Sequence, residues 1–218
     1  HVLQDETCRG TADKKAVEGR IKAIMEDYIR EELGGLENKT PRFVYLFQRL
    51  VRPVTQVVRN VLDELAHSQF QPIDFELGFG TGDGLPPVEL TVDGVTVSVS
   101  GFVDRVDGWV HDGRLYLRVV DYKTGRKSFD LTEIWNGLGL QMLLYLFTLE
   151  EKGAERYGRE TVPAGVLYLP AREAVVQGSR SMDEVQRRRE ADAELKRRGL
   201  VLDDPEVVEA MEPLGPEG

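Results

Sequence analysis

The chain has 218 residues, 41% of them hydrophobic, with 38 acidic against 28 basic side chains for a net charge of −10. That is enough material for one sizeable domain with a real core, and the acidic balance excludes capture of nucleic acid by an overall positive field. No run approaches the roughly 18 apolar residues that span a bilayer, HVLQDETCRG lacks the order of a signal peptide, and Cys8, the sole cysteine, excludes an internal disulfide or a thiolate cluster within the chain.

The reading is therefore a soluble, cytoplasmic protein with no membrane partner. From Asp13 to Leu33 the apolar residues Ala16, Val17, Ile21, Ile24, Met25, Tyr28, Ile29 and Leu33 recur at three- and four-residue steps, which predicts an amphipathic helix ended by Gly34-Gly35. A second helical segment runs from about Arg42 to Gln69, with Pro53 expected to kink or restart it. The character changes at Phe70. Residues 72–80 predict a strand, Asp93-Gly94 a hairpin turn leading into a longer strand, and His111-Asp112-Gly113 a second turn into RLYLRVVDYKTG. A helix is predicted over Leu131 to Lys152, closing at Gly153. Extended segments follow at VPAGVLYLP and REAVV, then a charged helix over Arg187 to Gly199 and a short last one at PEVVEAM. The predicted organisation is a helical segment over 1–69 packed on a core over 70–218.

The chemistry concentrates on two strands. Alternation puts Leu115, Leu117, Val119, Asp121 and Lys123 on one side of the second, and Phe102, Asp104 and Val106 on one side of the first. Strands joined by a short turn pair antiparallel, so Asp104 can lie beside Asp121. Two carboxylates from neighbouring strands suit Mg²⁺ or Mn²⁺, which keeps several waters and is completed by substrate phosphate. Lys123 would point at the same centre, there to assist deprotonation of a water or to stabilise negative charge. An isolated D-x-K triplet is ordinarily a salt-bridged pair near a sheet end. What raises this one is its company, notably Gln141 and Tyr145, which stand i, i+4 on one helical face among leucines. Asp107 falls on the face opposite Asp104 and could join it only through a bulge. Glu76 reads as part of a solvated strand face, and His67 and His111 as surface residues.

Taken in order, GFVDRVD (101–107), VVDYKTG (119–125) and GLGLQMLLY (137–145) resemble successive motifs of the RecB-type branch of the PD-(D/E)xK nucleases. FQPIDFELGFG (70–80), GLPP (84–87), PAGVLY (163–168) and GLVLDD (199–204) are similar to the C-terminal nuclease domain of the B subunit of AddAB-type helicase–nucleases. The similarity runs from about Phe70 to Met211 and is weaker in the N-terminal helices. It implies an α/β fold with a restriction-endonuclease-like core, a central mixed sheet flanked by helices. It implies Asp104 and Asp121 as metal ligands, the carbonyl of Tyr122 as a further one, and Lys123 as the catalytic lysine. Gln141 and Tyr145 would belong to a Q-x-x-x-Y motif supporting the active site and the DNA.

The resemblance further implies a metal-ligand histidine ahead of the sheet, for which His1 stands one residue out of register. Arg126 and Lys127, next to the proposed centre, are candidates to touch phosphate. The expected activity is exonucleolytic hydrolysis of single DNA strands delivered by a helicase during double-strand break repair in the bacterial cytosol, with an AddA-type helicase–nuclease subunit as partner. The competing reading is a catalytically weak DNA-binding or scaffolding module of the same complex. The family's four-cysteine iron–sulfur cluster cannot be built from Cys8 alone, so the expectation is a nuclease core taken from a longer subunit whose parent holds the cluster.

Overall fold

The computed structural model describes residues 2–5, 14–82, 84–125, 130–172, 174 and 182–212. It falls into two units, His1–Ala66 with Ala171–Glu194, and His67–Pro170 with Leu195–Gly218.

The first unit is helical. After a single 3-10 turn at Val2–Gln4 come α1 (Lys14–Leu33) and α2 (Pro41–His67), and later α5 (Glu184–Glu194). The predicted apolar stripe is buried at Val17, Ile21 and Ile29, and Val61 and Leu65 are buried on α2. Arg59 of α2 pairs with Glu18 of α1 at 3.2 Å, and Arg20 with Asp5 at 2.6 Å. The second helix runs unbroken through Pro53, which removes one i to i−4 hydrogen bond while the turns on either side stay intact.

The second unit is built on a five-stranded mixed sheet in the order β1-β4-β5-β6-β7: β1 (Gln71–Phe79), β4 (Gly101–His111), β5 (Arg114–Lys123), β6 (Thr161–Pro170) and β7 (Arg198–Val201). Only β5 and β6 run parallel, and the connection between them carries α3 (Leu131–Trp135) and α4 (Gln141–Tyr157). A separate two-stranded sheet, β2 (Val88–Val92) with β3 (Val95–Val99), turns at Asp93-Gly94. Both predicted hairpin turns form where the sequence places them. Asp93 and Gly94 (φ 51° and 77°) and Asp112 and Gly113 (φ 49° and 78°) supply the pair of positive φ angles that a two-residue loop requires.

Each face of the main sheet has its own core. On one, Leu115, Leu117 and Val119 pack with Val103, Val106 and Val166 beneath Met142, Tyr145, Leu146 and Leu149 of α4. On the other, Tyr116, Trp109, Phe70 and Ala164 meet Val207, Ala210 and Met211 of α6 (Pro205–Met211), whose N-cap is Asp204. This is the mixed sheet flanked by helices that the resemblance implied. Among the described residues no helix is long and apolar enough to cross a membrane.

Several boundaries differ from expectation. The single helix predicted over Leu131–Lys152 is two, because Gly137 and Gly139 take φ of 80° and 69° and break the run. Its end is at Gly158 (φ 68°), not Gly153, which stays inside α4 where a side chain would press on Thr161. The charged helix stops at Glu194, and Arg198–Val201 instead pairs antiparallel with β6 as an edge strand. The extended segment expected at REAVV lies largely outside the described residues.

Candidate functional site

The site is set by strand register. The β4/β5 ladder runs from His111↔Arg114 to Arg105↔Val120, and one step further sets Asp104 opposite Asp121. On the other side of β4, the pairs Phe75↔Arg105 and Leu77↔Val103 bracket Glu76 and Asp104. Across β6, Asp121 stands opposite Tyr168. Glu76, Asp104, Asp121 and Tyr168 thus form one row across four strands.

Regular alternation fails at this row. Val103 and Val106, three residues apart, lie in the same core cluster, while Phe102, expected to share a face with Val106, is 60% exposed. On β1, Glu76 has φ 50°, in the left-handed region that non-glycine residues seldom occupy. Both strands therefore depart from regular strand geometry at this row, Glu76 by its positive φ and β4 by the shared burial of Val103 and Val106.

Asp104 Oδ2 accepts a hydrogen bond from the backbone N–H of Tyr122 at 2.7 Å, tying the two strands together at the site. Burial pushes its carboxyl above the ordinary range. The Tyr122 hydrogen bond opposes this, the Asp121 charge adds to it, Lys123 opposes it, and Glu76 adds a final push. Lys123 Nζ lies 2.5 Å from the buried Asp121 Oδ2, and the two form an ion pair. The same ammonium sits 5.6 Å from the centroid of the Tyr168 ring, whose phenol is pushed up by burial and by Asp121.

Gln141 and Tyr145 meet as their spacing predicts, with Gln141 Nε2 donating to Tyr145 Oη at 2.8 Å. Tyr145 is fully buried and stacks on Phe79, with centroids 4.3 Å apart. Its hydroxyl lies over Gly101, where a Cβ would collide with it, so the glycine opening GFVD is the seat for the Q-x-x-x-Y pair. The pair reaches the acids through β4, three residues before Asp104. Gln141 itself is exposed in the first turn of α4.

Asp107 takes no part in the row. It is fully buried between Arg105 and Arg118 on the opposite side of the strand, as alternation from Asp104 predicted. His111 stacks on Trp109 and bonds Glu206 at 3.0 Å, and His67 is exposed. His1, Arg126 and Lys127 lie outside the described residues. Two members of the row, Tyr168 and Glu76, are not marked as site residues by the sequence. The first depends on the parallel β5/β6 pairing, which no local pattern announces, and the second on a backbone kink at a residue that looks like ordinary strand.

The donor set suits a hard divalent cation. Two carboxylates face each other across a strand pair, and the buried oxygen of one of them is met by the Lys123 ammonium. Among the described residues no three His, Cys, Asp or Glu side chains gather as a metal-binding group. Two acids completed by main-chain carbonyl, water and substrate oxygen is the arrangement that Mg²⁺ favours over an all-protein cage.

Comparison with known proteins gives the family. The family model described as the PD-(D/E)XK nuclease superfamily matches residues 3–212. The B subunit of the ATP-dependent helicase/deoxyribonuclease of Clostridium novyi (strain NT) is 33% identical over 211 residues, covering 96% of this chain and 18% of that protein. The protein of the same name from Clostridium acetobutylicum is 33% identical over 196 residues, covering 89% of this chain and 17% of its own length. That from Clostridioides difficile (strain 630) is 32% identical over 212 residues, covering 97% and 18%. The chain thus spans less than a fifth of the length of the curated relatives it matches.

Proposed function

Because this chain belongs to the PD-(D/E)XK nuclease superfamily, we propose that it is the divalent-metal-dependent deoxyribonuclease domain of an AddAB-type helicase–nuclease, hydrolysing phosphodiester bonds of single DNA strands. The observation that carries this reading is the juxtaposition of Asp104 and Asp121 across β4 and β5, with Lys123 ion-paired to Asp121 at the same rim.

Asp104, Asp121 and the carbonyl of Tyr122 would hold Mg²⁺ or Mn²⁺. A divalent ion there supplies Lewis-acid activation and charge neutralisation for attack on a phosphodiester. Lys123 brings a positive charge to the point where negative charge develops on the phosphoryl oxygens, and its nitrogen can exchange a proton with the attacking water. Tyr168 bounds the ammonium on one side with its ring face. Gln141 and Tyr145 brace Gly101 and hold the start of β4, which sets where Asp104 stands. On the sequence alone, the proposal also includes His1 as a further metal ligand and Arg126 and Lys127 as phosphate contacts. The net charge of −10 fits a domain to which DNA is delivered by a helicase partner, since it cannot gather DNA by its own field.

The test is cleavage of end-labelled single-stranded DNA with Mg²⁺ or Mn²⁺ by the chain and by Asp121→Ala and Lys123→Ala. Loss of metal-dependent cleavage in both variants is expected. Cleavage that survives both substitutions overturns the site, and metal-independent binding without cleavage supports the DNA-binding or scaffolding role instead.

A further inference from the structure

Beneath the row of acids the sheet buries a second set of charges. Arg105 and Asp107 are fully buried and Arg118 is 1% exposed. Asp107 Oδ2 accepts from Arg105 Nη2 at 2.9 Å and from Arg118 Nε at 2.8 Å, and Asp107 Oδ1 lies 2.8 Å from Arg105 Nε. Each guanidinium also meets an aromatic face, Arg118 that of Phe70 at 5.2 Å and Arg105 that of Tyr122 at 5.7 Å. Three ionised groups are thus held out of water in one cluster. Well-packed apolar residues in place of such a cluster are often as stable or more so, so packing alone does not account for it.

One arm of the cluster leads to the site. Arg105 Nη1 donates to the Tyr122 hydroxyl at 2.7 Å, and the Tyr122 backbone N–H donates to Asp104 Oδ2 at 2.7 Å. Tyr122 sits between Asp121 and Lys123, so alternation sends its side chain to the face opposite theirs. The ring is gripped from below while the peptide holds the acid above.

We propose that Arg105, itself fixed by Asp107 and Arg118, is a positioning residue: it clamps Tyr122 through its hydroxyl so that the Tyr122 peptide keeps Asp104 and Asp121 at the spacing a divalent cation requires. The inference rests on the reading of Asp104 and Asp121 as metal ligands. Arg105 touches neither substrate nor metal and acts only through Tyr122.

Tyr122→Phe removes the hydroxyl that Arg105 grips and leaves the ring. Arg105→Lys keeps a charge against Asp107 but has no fork to span Asp107 and Tyr122 together. The readout is Mn²⁺ binding to the whole chain, followed by calorimetry and by the electron paramagnetic resonance of the ion, alongside the apo melting temperature and the steady-state constants on single-stranded DNA. Tyr122→Phe is expected to weaken Mn²⁺ binding about 10-fold, the scale on which groups behind the ligands act, and to lower kcat with KM for DNA unchanged, while the apo protein stays folded with a lower melting temperature because the buried Arg105 Nη1 loses this acceptor. Because both substitutions break one link, the double variant should bind Mn²⁺ no more weakly than the worse single.

Asp121→Ala separates the inference from the reading beneath it. If Asp121→Ala abolishes Mn²⁺ binding while Tyr122→Phe binds like wild type, the clamp is wrong and the ligand assignment stands. Additive losses in the double variant also overturn the clamp. If wild type fails to bind Mn²⁺, or Asp121→Ala binds it unchanged, the ligand assignment falls and the clamp with it.

Discussion

Asp104→Asn should make the protein more stable and less able to use metal. The native state holds the Asp104 carboxyl above its ordinary value through burial and through the charges of Asp121 and Glu76, against the opposing pull of Tyr122 and Lys123. A raised native pKa contributes stability that is complete below the unfolded value, about 3.9, and is lost as pH rises through the native value. At neutral pH the charged group is therefore a net cost. Asparagine keeps an oxygen for the Tyr122 N–H and removes the charge. Opposed residues of a strand pair stand about 5 Å apart, where two like charges repel by ~0.8 kcal/mol in water and ~3 kcal/mol at an effective dielectric of 20. The site is partly open and Lys123 offsets some of this, so the lower figure governs, about 1 kcal/mol. For a domain of this size that is a rise of roughly 2–4 °C in melting temperature. Calorimetric melts at pH 7 in chelator and in Mn²⁺ test both halves. At ten times its Kd, Mn²⁺ should stabilise wild type by about 1.4 kcal/mol and the variant by less, so that metal cancels the variant's advantage. If the variant melts below wild type in chelator, the carboxylate is not under electrostatic load; if Mn²⁺ raises both equally, Asp104 is not a ligand.

Asp107→Asn leaves two buried guanidiniums without their counter-ion and should cost about 3–5 kcal/mol, read as a shift in urea midpoint. Gly101→Ala drives a methyl into the Tyr145 hydroxyl; a loss of about 1–3 kcal/mol is expected from overpacking, with DNA cleavage reduced as the Gln141–Tyr145 pair is displaced. Asp74 is held below the ordinary carboxylate range: burial raises it, but hydrogen bonds from Arg156 and Tyr157 outweigh that. A depressed native pKa gives stability that is present above the unfolded value and lost as pH falls through the native one. Asp74→Asn should therefore cost about 2 kcal/mol at pH 7 and nothing below both values, so the two stability curves converge in acid.

Much of the site could be counted out from one turn. Asp112-Gly113 fixes the β4/β5 register at His111↔Arg114, and every pair follows from it, including Asp107↔Arg118 and the Asp104/Asp121 step beyond the ladder. Asp107 was therefore legible as the partner of a buried arginine. Glu76 was not, because β1 and β4 are separated by the β2/β3 hairpin rather than joined by a tight turn, and their register, shifted between Pro72 and Asp74, cannot be counted out from the sequence. The break at Gly137 and Gly139 was present in the sequence, but leucine periodicity on both sides hid it. Arg198–Val201 has no pattern of its own strong enough to predict a strand, and pairing with β6 decides it. There tertiary contact overrides local preference, as it commonly does for short edge strands.

The unfavourable terms fall on one short stretch of the sheet. Three non-glycine residues take positive φ among those described. Asp93 and Asp112 do so in hairpin turns, where a short polar side chain tolerates it, whereas Glu76 does so inside a strand, at a cost of about 1–2 kcal/mol. Opposite it, Asp104 carries its charge against burial and a like charge, and on the far face Arg105 and Arg118 are held out of water around Asp107. Summed, these terms reach a few kcal/mol, a sizeable share of the ~5–15 kcal/mol that holds a domain folded. The hairpin turns and helix ends keep local rules, with paired positive φ at Asp93-Gly94 and Asp112-Gly113, Asp204 capping α6 and Gly158 closing α4. Unfavourable terms gathered at one place motivate a functional reading of the residues that carry them. On that reading Glu76 and Arg105 join the proposed site of Asp104, Asp121 and Lys123, although neither stands in the D-Y-K triplet from which the site is first read.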